Sequence, residues 1–267
     1  MGTQEPRVVL VTGSSRGIGR ATAISFAETG ARVVINHPGE PEAAAEAERL
    51  VRAAGGEPLV ISADVGVPAD VRRMVDTVID RWGYVDVLVL NAGICPLVPF
   101  LDTDEALWDR VHAVNLKGAF LTAQAVSRHM IGRGKGGRII GISSVSAWTG
   151  GAEQVAYCPT KAGMSALMRV MAISLGPHDI TCNAVLPGEI ETDINREDLA
   201  MPGKREYMEG RIPLRRVGEP RDVADLVRLL AEDGARYVNG AEIVVDGGLL
   251  VNLEGTFPGA LAGPVPA

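Results

Sequence analysis

Seven short aliphatic runs, each followed by a stretch of helical character, constrain this chain more than any other feature of its sequence. The runs fall at about 7–12, 32–36, 58–62, 86–90, 138–143, 180–186 and 242–246. Helices are expected between them, over about 17–29, 41–54, 68–82, 104–132, 154–175 and 220–232. A strand wetted on one face alternates apolar and polar residues. Asp86-Val87-Leu88-Val89-Leu90 is nearly unbroken, the pattern of a parallel strand covered on both faces by crossover helices, and it is expected near the centre. The segment from Gly30 to Glu57 alternates a short strand with an acidic helix and is expected near an edge. The fold class is therefore α/β, a doubly wound seven-stranded parallel sheet with helices on both faces. A chain of 267 residues suits one such domain over its whole length.

Composition narrows the partners. The net charge is −7 and no block of lysine and arginine occurs, which argues against a nucleic-acid surface. Three cysteines, Cys95, Cys158 and Cys182, lack the spacing of metal ligands and cannot form a closed disulfide framework. The four histidines are scattered without a carboxylate cluster, so no metal site is expected. The amino terminus lacks the basic-then-apolar pattern of a signal peptide, and polar residues interrupt every apolar stretch before it could span a membrane. These features lead us to expect a soluble, cytoplasmic protein with a small-molecule substrate, no membrane and no nucleic acid.

Two local patterns carry chemistry. The first strand runs into Thr12-Gly13-Ser14-Ser15-Arg16-Gly17-Ile18-Gly19 and then a helix. Glycines between strand and helix let the backbone approach a pyrophosphate, whose charge is stabilised by free N–H groups at the helix start. This makes the domain Rossmann-type. Downstream, Tyr157 and Lys161 stand four residues apart, so on a helix they share a face. A phenol beside an ammonium can serve in proton transfer, and the Ser144 hydroxyl could hold the reacting oxygen.

With Asn91-Ala92-Gly93, Asn115, Ser144 placed 13 residues before Tyr157, and Pro187-Gly188 added, the chain from about residue 7 to residue 252 resembles the short-chain dehydrogenases/reductases. The resemblance implies that Tyr157 is the general base or acid and that Lys161 lowers its pKa and binds the nicotinamide ribose. It further implies that Ser144 orients the substrate oxygen and that Asn115 holds a proton-relay water. It assigns cofactor contacts to Gly13, Ser15, Arg16, Gly17, Ile18 and Gly19, to His37, to Asp64 and Val65, and to Asn91, Ala92 and Gly93. Pro187, Gly188, Ile190 and Thr192 would cover the nicotinamide, beside Tyr157 and Lys161. A dimer or tetramer is implied as well.

The position at the end of the second strand, where an acidic residue usually selects NAD, is taken by His37. No carboxylate is expected there to repel a 2′-phosphate, and Arg16 could help neutralise one, so NAD(P) is expected, with both forms usable and NADP at least tolerated. The strand-free stretch 187–241 is expected to carry a substrate lid at about 189–216. Its Glu189, Glu191, Asp193 and Asn195 suit a polyol, and the resemblance is nearest to bacterial sugar 1-dehydrogenases. Ile94-Cys95-Pro96 and Ser146 differ from the glucose enzymes, which favours L-rhamnose or a similar aldose, with Ser144, Ser146, Glu189 and Asn195 as substrate contacts. A 3-oxoacyl-thioester (acyl-carrier-protein) reductase is the same-fold alternative, and a non-catalytic dinucleotide-sensing scaffold the third. The Pro/Gly/Ala-rich residues 255–267 are expected to form a tail or an arm on a neighbouring subunit.

Overall fold

A computed structural model describes residues 5–252. The expected tail at 255–267 lies outside the described residues. Seven strands form one sheet: β1 (Val8–Val11), β2 (Arg32–His37), β3 (Glu57–Ser62), β4 (Val87–Leu90), β5 (Gly137–Ile142), β6 (Ile180–Pro187) and β7 (Glu242–Val245). Their order is β3-β2-β1-β4-β5-β6-β7, and every pairing is parallel. β4 is central, as its aliphatic run predicts, and β2, from the segment expected near an edge, lies next to the edge strand β3.

Successive side chains of a strand point to opposite faces, and here both faces are dry. Val8, Leu10, Leu88 and Leu90 pack on α3 (Pro68–Trp82), α5 (Gly118–Arg133) and α6 (Tyr157–Leu175) through Met74, Val126, Met164 and Met168. Val9, Val11, Val87 and Val89 face α1 (Gly17–Ala27), α2 (Pro41–Ala53) and α9 (Pro220–Leu230) through Phe26, Ala47 and Val227. Each buried aliphatic side chain of this size contributes about 2 kcal/mol. α9 starts at a capping box in which the Asp222 carboxylate accepts from the Glu219 N–H at 2.7 Å.

One expected element differs. The single helix foreseen at 104–132 is α4 (Glu105–His112) and α5, joined by a π turn at Ala113–Lys117. The turn contains Asn115, whose buried amide is drawn to the backbone of Ile94. Inserting a residue this way shifts the apolar face but leaves it amphipathic on each side, so periodicity alone does not reveal the break. Two short helices, α7 (Arg196–Leu199) and α8 (Lys204–Arg211), occupy the stretch after β6. The chain leaves β1 for β2 on one side and reaches β4 on the other, so a crevice opens at their carboxyl ends.

Candidate functional site

A cleft of about 350 Å³ lies in that crevice. Its floor is the turn after β1, which is fastened to the sheet by side chains. The Thr12 hydroxyl accepts from the N–H groups of Asn91 and Ala92 at 3.0 and 3.1 Å, and the Asn91 amide donates to the carbonyls of Thr12 and Gly13 at 2.9 and 2.8 Å. Asn36, at the end of β2, accepts from the Gly13 N–H at 3.0 Å and donates to Ala63 at 2.9 Å. Two glycines are required by this closeness. Gly13 has φ +61° and a Cβ there would stand 2.8 Å from Ala92 Cα, while a Cβ on Gly19 would lie 2.3 Å from the Gly13 carbonyl. The N–H groups that open α1 have no partner inside the helix and face the cleft through Gly17 and Ile18. Such a floor fits a pyrophosphate, and Gly19 serves it from behind, outside the lining.

The carboxyl end of β5 and the start of α6 bring the chemistry together. Ser144, Tyr157 and Lys161 all line the cleft. Lys161 is buried; its ammonium donates to the Ile142 carbonyl at 2.8 Å and lies 5.4 Å from the centre of the Tyr157 ring. Burial pushes the lysine down to about 8, with Cys95 opposing. Burial also pushes the Tyr157 phenol well above its ordinary value, aided by Cys95, while a hydrogen bond with Ser144 pulls the other way. The net direction of Tyr157 in the protein alone is therefore upward. The Cys95 thiol, on the opposite wall, is raised to about 11 by burial.

Asn115 does not line the cleft. Its amide exchanges two hydrogen bonds of 2.9 Å with the Ile94 backbone and donates to the Thr160 hydroxyl at 3.2 Å, tying the loop after β4 to α6. Ala92, Gly93, Ile94 and Cys95 of that loop form one wall, together with Asn91 at its foot. Pro187, Gly188, Glu189, Ile190, Thr192 and Asn195, from the segment after β6, form the roof. Asn195 organises this roof. It accepts from the Thr192 N–H at 2.9 Å and donates to the Ile190 carbonyl at 2.9 Å and the Glu189 carboxylate at 2.5 Å. One Glu189 oxygen is thereby held, and the other has no partner among the described residues.

At the far end the structure departs from the expected arrangement. His37 is buried and outside the lining; its Nδ1 accepts from the Glu40 N–H at 2.9 Å. Glu40 stands in the cleft instead, with Ser15, Arg16 and Pro38. A carboxylate is thus present where none was expected, because the loop after β2 folds back on the glycine turn. Asp64 and Val65 line the same end, and Arg110 from α4 pairs with Asp64 at 2.8 Å. Gln154 is a further residue that sequence reasoning missed. Its carbonyl oxygen accepts from the Ser146 hydroxyl at 3.0 Å and the Cys158 thiol at 3.4 Å, leaving its NH₂ without a partner among the described residues, three positions before Tyr157. Only its place one helical turn ahead of Tyr157 could have marked it. Glu40 had a better signal, since it follows Gly19 by about the 20 residues that separate a glycine turn from a ribose-binding acid.

Comparison with known proteins gives this geometry a lineage. A family model described as enoyl-(acyl carrier protein) reductase matches residues 13–250. The chain is similar to an L-rhamnose 1-dehydrogenase (NAD(P)(+)) of Azotobacter vinelandii, 51% identical over 251 residues that cover 93% of this chain and 98% of that protein. It is also similar to an L-rhamnose-1-dehydrogenase of Scheffersomyces stipitis, 50% identical over 252 residues, 93% of this chain and 97% of that one. Among solved structures, acetoin dehydrogenase from Enterobacter cloacae matches with a TM-score of 0.86 at 35% identity, covering 96% of this chain and 100% of the other. Likeness on this scale, over nearly every residue that builds the cleft, means that the chain belongs to the short-chain dehydrogenase/reductase family of oxidoreductases.

Proposed function

We propose that the protein is an NAD(P)-dependent aldose 1-dehydrogenase that oxidises the anomeric CH–OH of L-rhamnose or a similar sugar to the lactone. The observation that carries the reading is the polar lining that Tyr157 shares: Ser144 at its hydroxyl, and in the same cleft Gln154 and Glu189, whose NH₂ and second oxygen have no partner among the described residues. A sugar presents several hydroxyls, and a site built from fixed donors and acceptors discriminates among them better than an apolar groove can. The names of the similar L-rhamnose enzymes support the same substrate class.

A bound nicotinamide supplies the hydride acceptor, and the glycine turn with Asp64 and Val65 fits its dinucleotide. The chain's own residues handle the proton. Ser144 donates to the substrate oxygen, Tyr157 as phenolate takes the hydroxyl proton, and the Lys161 ammonium offsets the charge of that phenolate. Asn115 fixes the wall through Ile94, and a relay water beside it is retained as part of this proposal. Residues 189–216 act as the lid, with Asn195 bracing Glu189 rather than meeting the sugar first. Among the described residues no helix is long and apolar enough to cross a membrane. A cytoplasmic dimer or tetramer is proposed, with Val170 and Ile173 of α6, both exposed, in its interface.

Initial rates with a panel of aldoses and both oxidised cofactors test the proposal. L-rhamnose or a close relative is expected to give the highest kcat/KM with either cofactor. Failure of every sugar, alongside efficient reduction of a 3-oxoacyl thioester, would replace it with the alternative reductase reading.

A further inference from the structure

The turn that begins at Ser144 is tied to the sheet by a side chain that lies outside the cleft lining. The Ala147 N–H donates to the Ser144 carbonyl at 2.9 Å and the Trp148 N–H to the Val145 carbonyl at 3.0 Å, which closes a single 3₁₀ turn at Val145–Ala147. The Ser144 hydroxyl oxygen accepts from the Ser146 N–H at 3.1 Å, so its aim depends on where this turn sits. So short a turn has little stability of its own. On one side Ser143 fixes it, donating to the Lys161 carbonyl at 2.8 Å. On the other side the chain is exposed from Trp148 to Glu153, and Gly150 and Gly151 add freedom. The anchor there is Trp148, whose indole N–H donates to the Glu242 carboxylate at 2.7 Å although 55% of the residue is exposed. Glu242 opens β7, where it pairs with Ala184 of β6. Its side chain is only 13% exposed, and its other oxygen meets Arg169 of α6.

We propose that Trp148 and Glu242 are positioning residues for Ser144: the bond between them holds, from the sheet, the far end of the turn that aims the Ser144 hydroxyl at the reacting oxygen. A bond from an N–H to a carboxylate is stronger than one between neutral groups, and Arg169 keeps this carboxylate turned toward the indole. Freed from Glu242, Trp148 and the turn behind it take on the freedom of the exposed stretch that follows. A hydroxyl displaced by even part of its own bond length stabilises the charge developing on the substrate oxygen less well. The inference rests on the role of Ser144 in the proposed function and not on the identity of the sugar.

Steady-state rates on L-rhamnose at saturating oxidised cofactor, with NADH titrated separately by fluorescence, read it. Trp148→Phe keeps an aromatic ring and loses the N–H. Its kcat and kcat/KM are expected to fall together by about fivefold or more with KM little changed, because the donor being misplaced acts in the transition state. The NADH Kd should stay within about twofold of wild type, since the glycine turn is untouched. Glu242→Ala is expected to lose as much, and Glu242→Gln to recover most of the rate by keeping an acceptor for the indole. The double variant Trp148→Phe/Glu242→Ala is expected to be no slower than the slower single one, as two ends of one bond must be. A kcat/KM for Trp148→Phe within about twofold of wild type, or losses that multiply in the double variant, would overturn the proposal. If wild type leaves L-rhamnose unoxidised, the same comparison is made on reduction of a 3-oxoacyl thioester, so failure of the sugar reading stays distinct from failure of the positioning role.

Discussion

The chemistry of the site turns on what burial does to two neighbouring groups. A buried phenol resists ionising and a buried ammonium resists charging, so Tyr157 moves up and Lys161 down, to about 8. At neutral pH the lysine still holds its proton, donated to the Ile142 carbonyl, and its charge lies 5.4 Å from the Tyr157 ring, where it would favour a phenolate. The same shift has a cost for stability. Lys161 has a folded pKa below its ordinary 10.5, so the unfolded chain binds more protons between about 8 and 10.5. The charge penalty is complete below about 8 and fades as pH rises toward 10.5. Urea unfolding of wild type and Lys161→Met across this window should show wild type gaining on the variant, by on the order of 3 kcal/mol at most. A constant difference would mean that Lys161 is not desolvated. None of these directions is visible in a Tyr-x-x-x-Lys pattern, which fixes spacing on a helix but not the depth of the helix in the protein.

At the level of elements, the site depends on a break between two helices. The π turn at Ala113–Lys117 lets Asn115 reach Ile94 and Thr160, joining the wall of the cleft to α6, which carries Tyr157 and Lys161. Asn115→Ala leaves the Ile94 N–H and carbonyl without those partners in a half-buried loop, so a loss of about 1–2 kcal/mol in unfolding free energy is expected. A loss below about 0.5 kcal/mol, measured by the same urea method, would show that the Ile94 loop finds other partners. The strands were legible in the sequence because burial on both faces writes itself as continuous Val, Ile and Leu. The break in the helix was not, since both halves stay amphipathic and the cause lies in a loop twenty residues away. Gln154 escaped for a related reason: a glutamine on a helix start looks like surface until Ser146 and Cys158 are seen to hold its oxygen.

For the whole molecule, the cleft exists because the strand order reverses between β1 and β4, and the sheet gathers at its carboxyl edge segments far apart in the chain. The parts of the site that are contiguous in sequence, the glycine turn and the Tyr157 helix, could be read in advance. Those made by folding were not: Glu40 returns to the turn through a loop, with only its spacing from Gly19 to mark it, and Arg110 comes to Asp64 from another helix. The proposed sugar contacts belong to the folded part, since Gln154 and Glu189 line the same cleft as Tyr157 from two different segments. The central claim is that this assembly moves a hydride from the anomeric carbon of an aldose, with Tyr157 taking the proton. L-rhamnose carrying deuterium at C1, incubated with the protein and oxidised cofactor, tests it by mass spectrometry of the nicotinamide. The account predicts deuterium in the reduced cofactor and lactone as product, with Tyr157→Phe losing most turnover while still binding NADH. Reduced cofactor without deuterium, or near-normal turnover in Tyr157→Phe, would contradict it.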